Sequence, residues 1–156
     1  MTEVEYLGHI VSKDGVKVDP KKIQAVQAWP KPRTLKGLRG FLGLTGYYRK
    51  FVRNYGKIAA PLTSMLKKDS FTWTGPVDQA FLELKHAMTT TPILAMPDFS
   101  KPFVIESDAS GRGIGAVLMQ EGRPLAFTSK ALSDCNLGKS TYAKEMLAIL
   151  HVVTHW

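Results

Sequence analysis

Apolar and polar positions change period several times along this chain, and each change marks a new element. The opening stretch alternates weakly from Tyr6 to Val11, turns at Asp14-Gly15 and resumes with Val16 and Val18, which predicts a β-hairpin. Asp19 followed by Pro20 reads as a helix start, and the Pro30-Lys31-Pro32 break sets the end of that helix near Trp29. Thr34 is the next N-cap candidate. Leu35, Leu38, Phe41 and Leu42, then Tyr48, Phe51 and Val52, recur at helical spacing, while Gly37, Gly40, Gly43 and Gly46 weaken the helix and invite close packing or a kink. A shorter helix is predicted from Ile58 to Leu66, with Pro61 at or near its start.

After a polar connection from Lys67 to Gly75, Pro76 opens a helix that carries Val77, Phe81, Leu84 and Met88 on one stripe. The run Thr89-Thr90-Thr91-Pro92 ends it. Beyond Pro102 come three strand-like pieces, Phe103 to Asp108, Ile114 to Gln120 and Pro124 to Ser129, with Glu121-Gly122 as a tight turn between the last two. A final helix runs from about Ser140 to the end. No internal repeat or low-complexity tract interrupts this order, and the predicted fold class is α+β: a hairpin and a helical unit, then a βββα sheet-and-helix unit.

Composition sharpens this picture. At 156 residues and 44% apolar content the chain has enough material for the core of one ordinary domain or two small ones. No stretch of about 18 apolar residues is present, and the N-terminus lacks a basic segment followed by an apolar one, so neither a membrane span nor secretion is expected. The single cysteine, Cys135, has no partner for an internal disulfide, which fits an intracellular, reducing compartment, cytoplasmic or nuclear. The net charge of +8 matters for where it sits: residues 20–68 hold twelve Lys/Arg and no Asp or Glu. So one-sided a segment repels itself unless a polyanion neutralises it, which points to nucleic acid ahead of an anionic membrane surface or a merely soluble basic face. Lys31, Arg33, Lys36, Arg39, Arg49, Lys50, Arg53 and Lys57 are the candidate phosphate-binding residues, with Tyr47, Tyr48 and Tyr55 interleaved to pack on sugar or base faces.

Two carboxylates stand out among the acids. Alternation places Asp108 at the C-terminal end of an apolar strand, where open α/β sheets present functional groups; by itself it reads more readily as a turn-capping residue of Asp108-Ala109-Ser110-Gly111, and the second carboxylate changes that weighting. Glu145 falls, at about 100° per residue, inside the apolar arc of the last helix, between Trp156 and Val152. A salt bridge to Lys130 or Lys139 would explain it; the alternative is that Glu145 reaches over the sheet towards Asp108 and the two share a divalent cation, most naturally magnesium. The glycines of Gly111-Arg112-Gly113-Ile114-Gly115 match neither a P-loop nor a dinucleotide fingerprint and read as a tight turn. His151 and His155 lie four apart on a helix, but no third ligand makes them a zinc site.

A series of short motifs runs along the chain: Tyr6-Leu7-Gly8-His9-Ile10-Val11, Gly15-Val16-Lys17-Val18-Asp19-Pro20, Trp29-Pro30-Lys31-Pro32, Leu38-Arg39-Gly40-Phe41-Leu42-Gly43-Leu44 with Gly46-Tyr47-Tyr48-Arg49-Lys50-Phe51, Ala60-Pro61-Leu62-Thr63, Pro97-Asp98-Phe99, and Ser107-Asp108-Ala109-Ser110 with Gly113-Ile114-Gly115-Ala116-Val117-Leu118. In these motifs the chain resembles the Pol polyproteins of gypsy-type LTR retrotransposons, in the family's order and over nearly the whole length. The resemblance implies that residues 1–70 are the C-terminal part of a reverse transcriptase, with a hairpin that holds the primer end and thumb-like helices that ride on the template–primer duplex. It implies a connection at 71–100 and the N-terminal half of a ribonuclease H domain at 101–156, where Asp108 and Glu145 match metal-binding carboxylates and Glu106 matches none.

The same resemblance sets limits. No Asp-Asp pair of a polymerase palm occurs in the chain, and two of the four expected ribonuclease H carboxylates are present. Two-metal hydrolysis needs ligands that hold two cations about 4 Å apart, so weak or absent cleavage is expected of this chain alone. Nucleic-acid binding to an RNA–DNA hybrid or a DNA template–primer is the expected activity, magnesium the cofactor of the intact parent. A non-enzymatic nucleic-acid-binding remnant is the alternative; an actin-like phosphotransfer relative is disfavoured by the lack of a second Asp-Gly phosphate loop. A free sheet edge where later strands would pair is expected to promote self-association.

Overall fold

A computed structural model describes residues 2–156. The chain opens as a three-stranded antiparallel meander, β1 (Glu3–Tyr6), β2 (His9–Ser12) and β3 (Gly15–Val18), rather than the single hairpin read from the sequence. The stretch from Tyr6 to Val11 is broken by a tight turn in which Leu7 and Gly8 both take positive φ, 48° and 76°. Two consecutive left-handed residues give the turn whose twist matches paired strands. Leu94, from the proline-rich segment, then adds itself to β3 through an isolated bridge to Val16, with both amides bonded at 2.8 Å. Gly15, at φ 133°, is required there, because a Cβ would stand 2.1 Å from the Leu94 carbonyl oxygen.

The predicted caps hold the first two helices. Asp19 Oδ1 accepts from the Lys21 amide at 2.9 Å at the start of α1 (Pro20–Gln27), and Thr34 Oγ1 accepts from the Gly37 amide at 3.1 Å at the start of α2 (Leu35–Tyr47). Of the α2 glycines, Gly40 lets the Trp29 ring pack closely, while Gly43 has no neighbour within 4 Å of where a Cβ would stand. A 3-10 turn at Arg49–Phe51 leads to α3 (Tyr55–Ser64). That helix begins earlier than predicted, and Pro61 sits in its interior, where it costs one i to i−4 bond. Next, α4 (Gly75–Thr89) buries Val77, Phe81, Leu84 and Met88, the stripe expected from spacing.

These four helices share one core with β3. Leu38, Phe41, Phe51, Leu62, Leu84 and Met88 are among its fully enclosed members, and Phe41 meets Phe81 at 4.7 Å between ring centroids. Lys85 clips α4 to the end of α1: its Nζ donates to the Gln27 carbonyl at 3.0 Å and the Trp29 carbonyl at 2.6 Å, over the Phe81 ring. A cation on the exposed carbonyls of a helix C-terminus is favourable for both partners.

The second sheet is antiparallel, in the order β4 (Val104–Ser110), β5 (Gly113–Gln120), β6 (Arg123–Ala131). Glu121 and Gly122, both at positive φ, make the predicted turn between β5 and β6. A short helix, α5 (Asp134–Leu137), has no counterpart in the sequence pattern; it precedes α6 (Thr141–His155), which is capped by Ser140 Oγ on the Ala143 amide. The mixed architecture is α+β, as expected. The helical unit packs on one face of the second sheet through α3, and α6 packs on the other over β4 and β5.

The orientation of α6 differs from the one its wheel predicts. The arc of Tyr142, Ile149 and Val153, expected to face the core, is exposed, with Tyr142 at 73% and Val153 at 70%; Ala148 and Val152 are the buried positions. On the other flank of the helix, His151 Nε2 meets Thr128 Oγ1 of β6 at 3.2 Å. The apolar arc therefore overhangs the outer side of β4, which among the described residues pairs with β5 alone. Three strands are too narrow a platform to cover it.

Candidate nucleic-acid interface and carboxylate positions

All eight candidate cations are exposed, and they fall into three groups with one outlier. Arg33, Lys36 and Arg39 lie at the start of α2; Lys36 and Arg39, three apart, point away from the buried positions Leu38, Phe41 and Thr45. Arg49 and Lys50, on the 3-10 turn, face β6 and the end of α6 across a cleft. Arg53 and Lys57 border a cavity against α4. Lys31 stands apart: its ammonium is 3.2 Å from Asp78 and 5.0 Å from the Trp73 ring, an acid that the one-sided composition of residues 20–68 does not reveal. The Asp78 carboxyl is held below the usual carboxylate range, first by a hydrogen bond from Trp73 Nε1 and then by Lys31. Among the described residues the other seven cations form no ion pair with Asp or Glu.

The tyrosines divide similarly. Tyr48 and Tyr55 are buried, Tyr48 donating to the Gly8 carbonyl at 2.8 Å and Tyr55 paired with Thr45 Oγ1 at 3.0 Å. Burial raises the pKa of both phenols. Tyr47 alone keeps an exposed ring, while its hydroxyl donates to the Leu7 carbonyl at 3.0 Å.

Asp108 lies opposite Gly115 in the β4–β5 register, on the sheet face that α3 covers. With Glu106 it lines a small cavity of about 140 Å³ beside Arg53 and Asn54. The cavity is tight: a Cβ on Gly115 would stand 2.6 Å from Asn54 Oδ1. Glu145 is exposed in the first part of α6, on the opposite face, in the flank that overhangs β4. Both carboxylates border the open edge of β4, from its two sides. Neither Lys130 nor Lys139 pairs with Glu145 among the described residues. Among the same residues no group of three His, Cys, Asp or Glu is assembled that could hold a metal ion, His151 and His155 included. Nor is any helix there long and apolar enough to cross a membrane.

Sequence reasoning missed the junction that orders these groups. The Arg49 guanidinium donates to the Ser129 carbonyl at 2.9 Å, and the Gly56 amide donates to Ser129 Oγ at 2.7 Å. Polar pairing between residues some eighty positions apart leaves no local signal.

The chain is similar to known proteins in sequence and in fold. The RNase H-like domain found in reverse transcriptase matches residues 73–156. The retrovirus-related Pol polyprotein from transposon 297 of Drosophila melanogaster is 48% identical over 150 residues, 95% of this chain and 14% of that protein. Its counterpart from transposon gypsy of the same species is 42% identical over 160 residues, 94% of this chain and 16% of that protein. The chain thus spans about one-seventh of the length of these relatives. Among solved structures, the foamy viral protease-reverse transcriptase in complex with RNA/DNA hybrid superposes with a TM-score of 0.89 at 25% identity, covering 98% of this chain and 22% of that one. Motifs, fold and relatives agree, and the chain belongs to the family of RNase H-like domains found in reverse transcriptases.

Proposed function

We propose that this chain is a nucleic-acid-gripping segment of a retrotransposon reverse transcriptase and ribonuclease H, with RNA–DNA hybrid or DNA template–primer as its partner. In this reading residues 1–70 act as the primer-holding and thumb-like part, 71–100 as a connection, and 101–156 as the opening of the ribonuclease H domain. The observation that carries it is the set of exposed cations, seven of the eight candidates without an acidic partner among the described residues, mounted on a helical unit that is bonded to the second sheet. Unpaired surface cations at this density gain most from phosphates, whose condensed counterions they displace. The solved relative in complex with RNA/DNA hybrid supports the choice of ligand.

The intact parent, by this proposal, copies RNA into DNA and hydrolyses the RNA of the hybrid with magnesium, inside the cell. Asp108 and Glu145 offer the oxygen donors that magnesium prefers. Two donors on opposite faces of one sheet do not make a site by themselves. The chain alone is therefore a binder with weak or absent cleavage. The test incubates the purified chain and its Asp108→Asn variant with a labelled hybrid in magnesium, reading binding and RNA cleavage separately. Binding without cleavage fits the proposal; failure to bind overturns it. Cleavage abolished by the substitution would show that two carboxylates suffice and would replace the binder reading with an enzymatic one.

Self-association is the second part of the proposal, favoured by one observation. Among the described residues β4 pairs with β5 alone, and on it Val104 and Ile105 are about half exposed, Ile105 on the face towards α6 and Val104 on the opposite one. An unpaired apolar strand edge is a template for a second copy.

A further inference from the structure

A cleft of about 550 Å³ lies where the 3-10 turn after α2 meets β6 and the C-terminal half of α6. Its polar lining comes from elements far apart in sequence: Arg49 and Lys50 from the turn, Lys130 from β6, and His151 and His155 from α6, with the exposed Tyr47 ring at its mouth. The two imidazoles stack at 5.6 Å between centroids with planes 22° apart. No acid lines the cleft, and Arg49, Lys50 and Lys130 form no ion pair among the described residues.

We propose that this cleft binds the sugar–phosphate backbone of nucleic acid, and that protonation of His151 and His155 strengthens the grip. The inference rests on the nucleic-acid-binding reading above and adds a site to it, since Lys130 and the histidine pair lie outside the basic helical unit. The groups that face His151 are Thr128 and Lys130 from β6, Arg49 from the turn, and His155 from its own helix. All of the charged ones are cations or become so on protonation. Burial first, then these like charges, hold the His151 pKa below its ordinary value. A phosphodiester entering the cleft supplies the missing countercharge, so it favours the protonated rings, and by linkage lower pH favours the bound phosphodiester. The Tyr47 ring gives a sugar or base a face to pack on.

The test uses the intact chain and a fluorescein-labelled RNA–DNA hybrid. Lys50→Gln with Lys130→Gln should lower the slope of log affinity against log salt by about two, one for each phosphate that is no longer neutralised. Wild-type affinity should rise as pH falls from about 8 to about 6, and His151→Gln with His155→Gln should remove the rise. In proton NMR, the C2–H titration of His151 should move to higher pH when hybrid is added. Circular dichroism would establish that each variant is folded. If wild type binds but the lysine variant keeps its slope and His151 titrates unchanged, the cleft is not a phosphate site while the nucleic-acid reading survives. If wild type does not bind hybrid at all, both fail.

Discussion

The Gly56 amide donates to Ser129 Oγ at 2.7 Å, and a Cβ on Gly56 would stand 3.2 Å from the Ser129 and Lys130 backbone. The hydroxyl takes the place of a cap at the start of α3, where Asn54 is left-handed and its own side chain caps nothing. One serine thus serves the helix and the docking of the helix on the sheet. Ser129→Ala leaves a helix-terminal amide without its partner and should cost about 1 kcal/mol, lowering Tm by roughly 2–4 °C in a chain of this size. Gly56→Ala should cost more, because the neighbour it meets is backbone. Thermal unfolding followed by circular dichroism measures both; equal stability of wild type and Ser129→Ala would remove the capping role.

Acid should loosen the fold before any carboxylate titrates. His9 packs among Tyr47, Tyr48 and Phe51, with Nδ1 3.0 Å from the Leu7 carbonyl and Nε2 buried without a partner among the described residues. Burial, then the charge of Lys50, lowers its pKa from 6.5. The unfolded chain therefore binds the proton more readily, and stability present above pH 6.5 is lost as pH falls from there towards the folded value. The Tm of nucleic-acid-free protein should drop over that window, and His9→Phe should lessen the drop. His151, shifted the same way, accounts for a further share. A Tm that rises on acidification would reverse the sign and contradict this.

A charge on the open strand should keep copies apart. Val104→Lys places an ammonium on the outer strand of the second sheet at a position already half exposed, so the fold should tolerate it. Sedimentation velocity should find wild type associating as concentration rises and the variant monomeric. A wild type that stays monomeric at all concentrations would dismiss pairing through β4.

Much of the fold was legible because its signals are local. Asp19 and Thr34 cap helices within three residues of themselves, Glu121-Gly122 needs only its own two left-handed dihedrals, and Val77, Phe81, Leu84 and Met88 fall on one face by helical geometry alone. What escaped depends on distant partners. Leu7, a residue with no preference for positive φ, turns because Tyr47 and Tyr48 hold the Leu7 and Gly8 carbonyls from α2 and its cap. Leu94 becomes a strand residue only because Val16 is beside it. Spacing could locate Asp108 and Glu145 but not the faces on which they lie, since that depends on which side of β4 and β5 each helix settles. Likewise the cations were countable, while Asp78 beside Lys31 and the cleft at Lys130 appear only after folding.

The most direct measurement is the salt dependence of hybrid affinity for wild type and for the combined Arg33→Gln, Lys36→Gln and Arg39→Gln variant, none of which touches the core. With three phosphates left unneutralised, the slope of log affinity against log salt should fall by about three and binding should weaken at every salt concentration. Identical slopes and affinities for the two proteins would contradict the account, because the start of α2 would then carry its charge for some purpose other than nucleic acid.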